Sequence, residues 1–121
     1  MLNQKKLFTK ILNGPVFHSV EAASAMMKNV SGGYYQFGKV VIVNAQLYVD
    51  GTFPTNDYFT ALKTFPIPSV LAALTVTYNP LNRSTSATAV IDSSGNCVIQ
   101  SGAYSALSNS TLYVTGCYIA Q

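Results

Sequence analysis

The side chains able to do acid, base or nucleophilic chemistry are few in this chain and widely spaced. His18 is the only histidine, and its neighbours Phe17 and Ser19 suit a packed or solvated ring rather than a general base. Asp50 and Asp57 flank the segment GTFPTN and could meet across a loop as a carboxylate pair. Aspartate is equally the usual residue at a strand end and at the start of a turn, and that reading is preferred. The same pair could join loop carbonyls around a calcium ion, but the alternating oxygens of a calcium loop are missing, so no metal site is expected. No phosphate loop, dinucleotide fingerprint, zinc-protease helix or nucleophile elbow occurs, and no cofactor is expected. The chain is therefore read as a non-enzyme.

Cys97 and Cys117 are too few for a zinc site and read as small buried hydrophobes inside strands. A disulfide stays open if those strands are neighbours, because the Cα atoms must come within about 7 Å. Sequons occur at Asn29, Asn82 and Asn109, as expected by chance in a chain so rich in Asn, Ser and Thr. No signal-peptide stretch accompanies them, so they are expected to be unmodified.

What remains is the chemistry of binding. Glycan recognition sets aromatic faces against the apolar side of a sugar ring, with amides and carboxylates taking the hydroxyl hydrogen bonds. Two stretches supply those groups densely. GTFPTNDYF carries Phe53, Asn56, Asp57 and Tyr58, and YNPLNRS carries Tyr78, Asn82 and Arg83. These seven residues are the ligand-binding candidates, whereas Phe59 and Phe65 are assigned to core or subunit interface.

The elements that must hold those loops are strands. From Ser31 onward Val, Ile, Thr, Tyr and Phe are frequent and are punctuated by Gly, Pro, Asn and Asp. Strands are predicted near 34–37, 39–49, 58–65, 70–79, 84–92, 96–101 and 110–120. DSSGNC between Ile91 and Val98 reads as a hairpin turn with Gly95 at positive φ. Pro54, Pro66, Pro68 and Pro80 fall at apparent strand ends, where a missing N–H does no harm. Many short strands at this spacing predict a sandwich or barrel.

Before Ser31 the pattern changes. Leu7, Phe8, Ile11 and Leu12 line one face of a short helix ended by Asn13-Gly14-Pro15. It is too short to stand alone, so it either bundles with copies of itself or folds back on the sheet. Ser19 could cap a second helix over VEAASAMMKN, residues 20–29, and an extended connector fits there as well. Residues 1–31 are accordingly read as a helical attachment and oligomerisation segment and 32–121 as a β-sandwich domain.

Composition bounds the partners. At 121 residues the chain suits one domain, and 49% hydrophobic against only 9% charged residues leaves a surface poorly protected from association. Burial against copies of itself reconciles that surface with solubility, and a homo-oligomer is expected. The net charge of +3 is owed mainly to Lys5, Lys6, Lys10 and Lys28, a poor footprint for nucleic acid. No apolar run reaches the length of a membrane span, so no membrane insertion is expected.

The stretch GYYQFGKVVIVNAQLYV, the FPIPS segment at Phe65–Ser69, the hairpin DSSGNCVIQSG and the last strand STLYVTGCYIAQ come in a telling order. Together they resemble the small receptor-binding knob domains of bacteriophage tail fibres and head fibres, over residues 33–120. The resemblance implies an all-β, jelly-roll-like antiparallel β-sandwich that forms a homotrimer. It further implies a virion protein, assembled in the host cytoplasm and exposed on the particle, that binds a host surface polysaccharide or glycan. Its N-terminal segment would contact other virion structural proteins, although it is shorter than a fibre shaft and lacks a sustained heptad. The alternatives are a purely structural head-fibre or decoration protein and, as the weakest, a small carbohydrate-active enzyme.

The long strand over 39–49 carries one more expectation. Val41, Val43, Ala45, Leu47 and Val49 alternate with Ile42, Asn44, Gln46 and Tyr48. The first set is predicted to face the core. The second set, neither cleanly apolar nor charged, is predicted at the trimer interface.

Overall fold

A computed structural model describes residues 16–52, 57–79, 87–101 and 108–121. They form one nine-stranded antiparallel sheet: β1 (Val16–Ser19), β2 (Glu21–Ala22), β3 (Met27–Phe37), β4 (Val40–Val49), β5 (Tyr58–Lys63), β6 (Ala72–Asn79), β7 (Ala87–Ile91), β8 (Cys97–Ser101) and β9 (Thr111–Ile119). The lateral order is β1-β3-β4-β9-β6-β7-β8-β5-β2. The first and last strands of that order are separated in sequence by Val20 alone, so residues 16–22 leave one edge of the sheet and join the other. A nearly closed antiparallel barrel results. Val20, at the changeover, is buried in the core.

Six of the predicted strands match those found to within a few residues. The all-β class is present, and the sheet is one continuous antiparallel surface. Residues 20–29 correct the expectation of a second helix, because they contribute to β2 and β3 joined by a turn, and no described residue is helical. The physical reason is tertiary. Val20 and Met27 are buried, and Glu21 and Ala22 pair with Lys63 and Leu62 on β5, a partner far away in sequence. Helix propensity of Ala and Met, worth tenths of a kcal/mol per residue, loses to that burial. Ser19 ends β1 rather than capping a helix. The predicted helix over 7–12 lies outside the described residues.

β4 shows why the core sits where it does. Val41, Val43, Ala45, Leu47 and Val49 are all essentially inaccessible, whereas Val40, Ile42, Asn44 and Gln46 are exposed and Tyr48 is half-buried. Period-two alternation thus sends one set into the barrel interior. There Leu47 joins Leu62, Ile91, Ile99 and Leu112, the largest fully buried side chains, each contributing about 1.5–3 kcal/mol by burial. The interior is filled with side chains.

Two connections fix the barrel's ends. β3 is bulged between Lys28 and Ser31, and Gly32 follows at φ +75° with the Asn44 carbonyl so close that a Cβ would lie 2.3 Å from its oxygen. Only glycine fits there. At the other end the β7–β8 hairpin turns at Asp92–Asn96 as predicted, with Gly95 at φ +78° and the Asp92 carboxylate accepting the Ser94 and Asn96 N–H groups at 2.9 Å. The FPIPS connector lies over this end: Phe65 N–H donates to the Gly95 carbonyl, and Ser69 and Gln121 N–H groups donate to Ile119 and Ile67.

Candidate functional site

Strand order brings the strand termini that flank the candidate loops to one end of the sheet. β4 finishes there at Val49, β5 begins at Tyr58, β6 finishes at Asn79, β7 begins at Ala87, β8 finishes at Ser101 and β9 begins at Thr111. Antiparallel pairing of Tyr58 with Gln100, Asn79 with Thr111 and Ala87 with Ser101 sets these ends side by side. Phe53, Asn56, Asn82 and Arg83 lie outside the described residues. Tyr78 stands on β6 opposite Leu112 in register.

Asp57 and Tyr58 are the candidates whose geometry is defined. The Asp57 carboxylate accepts the Tyr58 N–H at 2.8 Å, and its backbone exchanges hydrogen bonds with Ser101: Ser101 N–H donates to the Asp57 carbonyl at 2.9 Å, and Asp57 N–H donates to Ser101 Oγ at 3.3 Å. Tyr58 is 68% exposed. The start of β5 therefore presents an exposed aromatic ring next in sequence to a carboxylate oriented by the Tyr58 N–H. Asp50 is held elsewhere on this rim, donating its N–H to Met26, and Gly51 and Asn109 exchange backbone and side-chain bonds beside it. Each aspartate thus has its own backbone partners, at a strand end and a strand start.

The other sequence candidates for chemistry resolve individually. His18 is exposed on β1 and stacks on Tyr34, ring centroids 5.0 Å apart. Cys97 and Cys117 are both free thiols, on strands that are not neighbours. Cys97 is buried as expected, but Cys117 faces solvent, because Gly116 and Tyr118 take the inward positions of β9 around it. Burial, with the Asp92 charge adding to it, pushes the Cys97 thiol up to about 12. Phe59 packs partly buried against the core and Phe65 is buried within it. Among the described residues no three His, Cys, Asp or Glu side chains gather closely enough to hold a metal ion.

Sequence reasoning missed a cleft at the opposite end. About 610 Å³ opens between Ile67–Leu71 and Ile91–Ser93, flanked by Gln121. Its one acidic side chain, Asp92, already accepts the two turn N–H groups. No local signal marks this cleft, because it exists only where the FPIPS connector crosses the hairpin.

The outer face of β4 is the other candidate region. Ile42, Asn44 and Gln46 are exposed, and β9 sets Cys117, Thr115 and Tyr113 directly opposite them. Comparison with known protein families, with curated proteins and with solved structures finds no match.

Proposed function

We propose that this chain is a non-enzymatic virion protein, the jelly-roll-like knob of a bacteriophage fibre, that acts as a homotrimer and attaches to a host surface glycan through the loop end of its barrel. The observation that carries the reading is the exposed Tyr58 ring beside the oriented Asp57 carboxylate, on the same end as the strand termini that flank both candidate loops. An exposed ring covers the apolar face of a pyranose, and a carboxylate takes hydroxyl hydrogen bonds. Each such site is weak alone. Three on one rigid body bind a repeated polysaccharide with an avidity that exceeds single-site affinity by orders of magnitude.

The outer face of β4, with Ile42, Asn44, Gln46 and Tyr48, is the proposed trimer contact, and the N-terminal segment is the proposed link to other virion proteins. A glycan array probed with the assembled protein tests the reading. Binding to a host-derived polysaccharide that falls at least tenfold in Tyr58→Ala, with unchanged thermal stability, supports it. No binding to any glycan favours a purely structural component of the particle.

A further inference from the structure

The register of the outer face assembles a patch that no single strand announces. Phe17 on β1 is opposite Tyr35 on β3, Tyr35 opposite Ile42 on β4, and Ile42 opposite Cys117 on β9. The next outward row sets Phe37, Val40 and Ile119 side by side on β3, β4 and β9. All seven side chains are exposed, and the Phe17 and Tyr35 rings meet with centroids 5.1 Å apart. Together they leave on the order of 500 Å² of contiguous apolar surface, toward the upper end of what a typical monomer exposes. The patch lies toward the β3–β4 turn, away from the loop end.

We infer that these two rows are the centre of the contact between copies of this chain. The inference rests on the homo-oligomeric reading above and specifies its surface. Two features select a second copy as the occupant. First, the two rows next to the patch are neutral, Ser19, Gly33, Asn44, Thr115 and Thr75 forming one and Ser31, Gln46, Tyr113 and Thr77 the other, and Lys28, opposite Tyr48, comes only in the row after them. No Asp, Glu, Lys, Arg or His stands outward in these four rows, so the face meets its own copy without like-charge repulsion, whereas a charged partner would find nothing to pair with. Second, the size fits. β3, β4 and β9, about 4.8 Å apart and nine to eleven residues long, with the four residues of β1 beside them, span roughly 550 Å² in projection, the same order as the roughly 800 Å² per partner of a standard interface. Aromatic and branched side chains at the centre with neutral amides and hydroxyls around them is the arrangement of an interface core and rim. Contact here also leaves the loop end free.

Cys117 reports on this face directly. Sedimentation velocity over a range of concentrations is combined with the rate of maleimide labelling, for wild type, Ile42→Asp and, outside the apolar rows, Thr77→Glu. Ile42→Asp is expected to sediment as a monomer while Thr77→Glu still assembles. Labelling of Cys117 in the wild-type oligomer is expected to be at least tenfold slower than in Ile42→Asp. Circular dichroism checks that Ile42→Asp is folded, and Phe17→Ser on the sheet edge replaces it if it is not. An oligomer that survives Ile42→Asp, or Phe17→Ser in its place, with Cys117 of the wild-type oligomer labelled no more slowly than that of the variant, overturns the patch and leaves the homo-oligomer standing. A wild-type monomer at all concentrations overturns both.

Discussion

The Tyr118 hydroxyl donates a 2.7 Å hydrogen bond to the Pro66 carbonyl, tying the last strand to the proline connector that crosses the hairpin end of the barrel. Tyr118 is buried as part of the core. Burial, with neighbouring Tyr34 and Cys97 adding to it, pushes the hydroxyl well above the usual tyrosine range, so it remains a donor at every ordinary pH. Tyr118→Phe keeps the ring and removes the donor, leaving the Pro66 carbonyl without this partner. A loss of about 1–2 kcal/mol in urea unfolding is expected, with the slope of the transition unchanged. An unchanged midpoint would mean that water replaces the hydroxyl at no cost.

The alternation along β4 gives a paired prediction. Leu47 is fully buried, and Gln46 beside it is exposed on the outer face. Leu47→Ala removes a fully buried side chain, opposite Leu112, from the core that Leu62 and Ile99 share, and is expected to cost about 2–5 kcal/mol. Gln46→Ala is expected to change stability by under about 0.5 kcal/mol. Comparable losses from the two variants would contradict the assigned faces.

Turn chemistry supplies a third. Gly95 has φ +78°, and a Cβ there would lie 2.4 Å from the Phe65 carbonyl oxygen. Both strain terms act together in Gly95→Ala, because the Phe65 N–H is bonded to the Gly95 carbonyl and the backbones cannot separate without breaking that bond. A destabilisation of more than about 2 kcal/mol is expected, against the 0.4–1 kcal/mol gain that Gly→Ala brings where φ is ordinary. Calorimetry of the two proteins decides it, and a rise in Tm for Gly95→Ala would refute the turn geometry.

How much of this was legible in the sequence depends on whether a feature is local. The strand over 40–49 and its two faces follow from a period of two, and the hairpin at Asp92–Asn96 follows from its turn residues; both are local. The helical reading of residues 20–29 gives way to the extended one because Glu21 and Ala22 pair with Lys63 and Leu62, and Met27 and Lys28 with Val49 and Tyr48, partners that no window around Ala22 contains. The candidate site divides in the same way. Asp57 and Tyr58 were found by residue type, but that Ser101 orders Asp57, and that both candidate stretches flank one end of the barrel, are properties of strand order. Likewise alternation marked Ile42 as outward. Only the register showed that Phe17, Tyr35 and Cys117 stand in line with it.

The last prediction concerns alkaline pH. Cys97 is fully buried between Asp92 and the core, and its thiol is raised from about 9 to about 12 because the thiolate would be desolvated there and would face the Asp92 charge. The folded protein therefore holds a proton that the unfolded chain releases above about pH 9. Its contribution is fully present below that value, and stability is lost as pH rises from about 9 towards 12, because the unfolded state binds fewer protons throughout that window. By pH 11 the loss from this one thiol is of order 2–3 kcal/mol. Cys97→Ala lacks the group: it should start less stable at pH 8 by about 1 kcal/mol or more, from the cavity, and then decline less steeply. Tyr34 and Tyr118 are raised as well, chiefly by burial that both proteins share, so the difference in slope between them reports Cys97 together with its smaller effect on Tyr118. Urea unfolding at pH 8, 9, 10 and 11 measures it, and parallel curves would show that the thiol keeps its ordinary acidity inside the barrel.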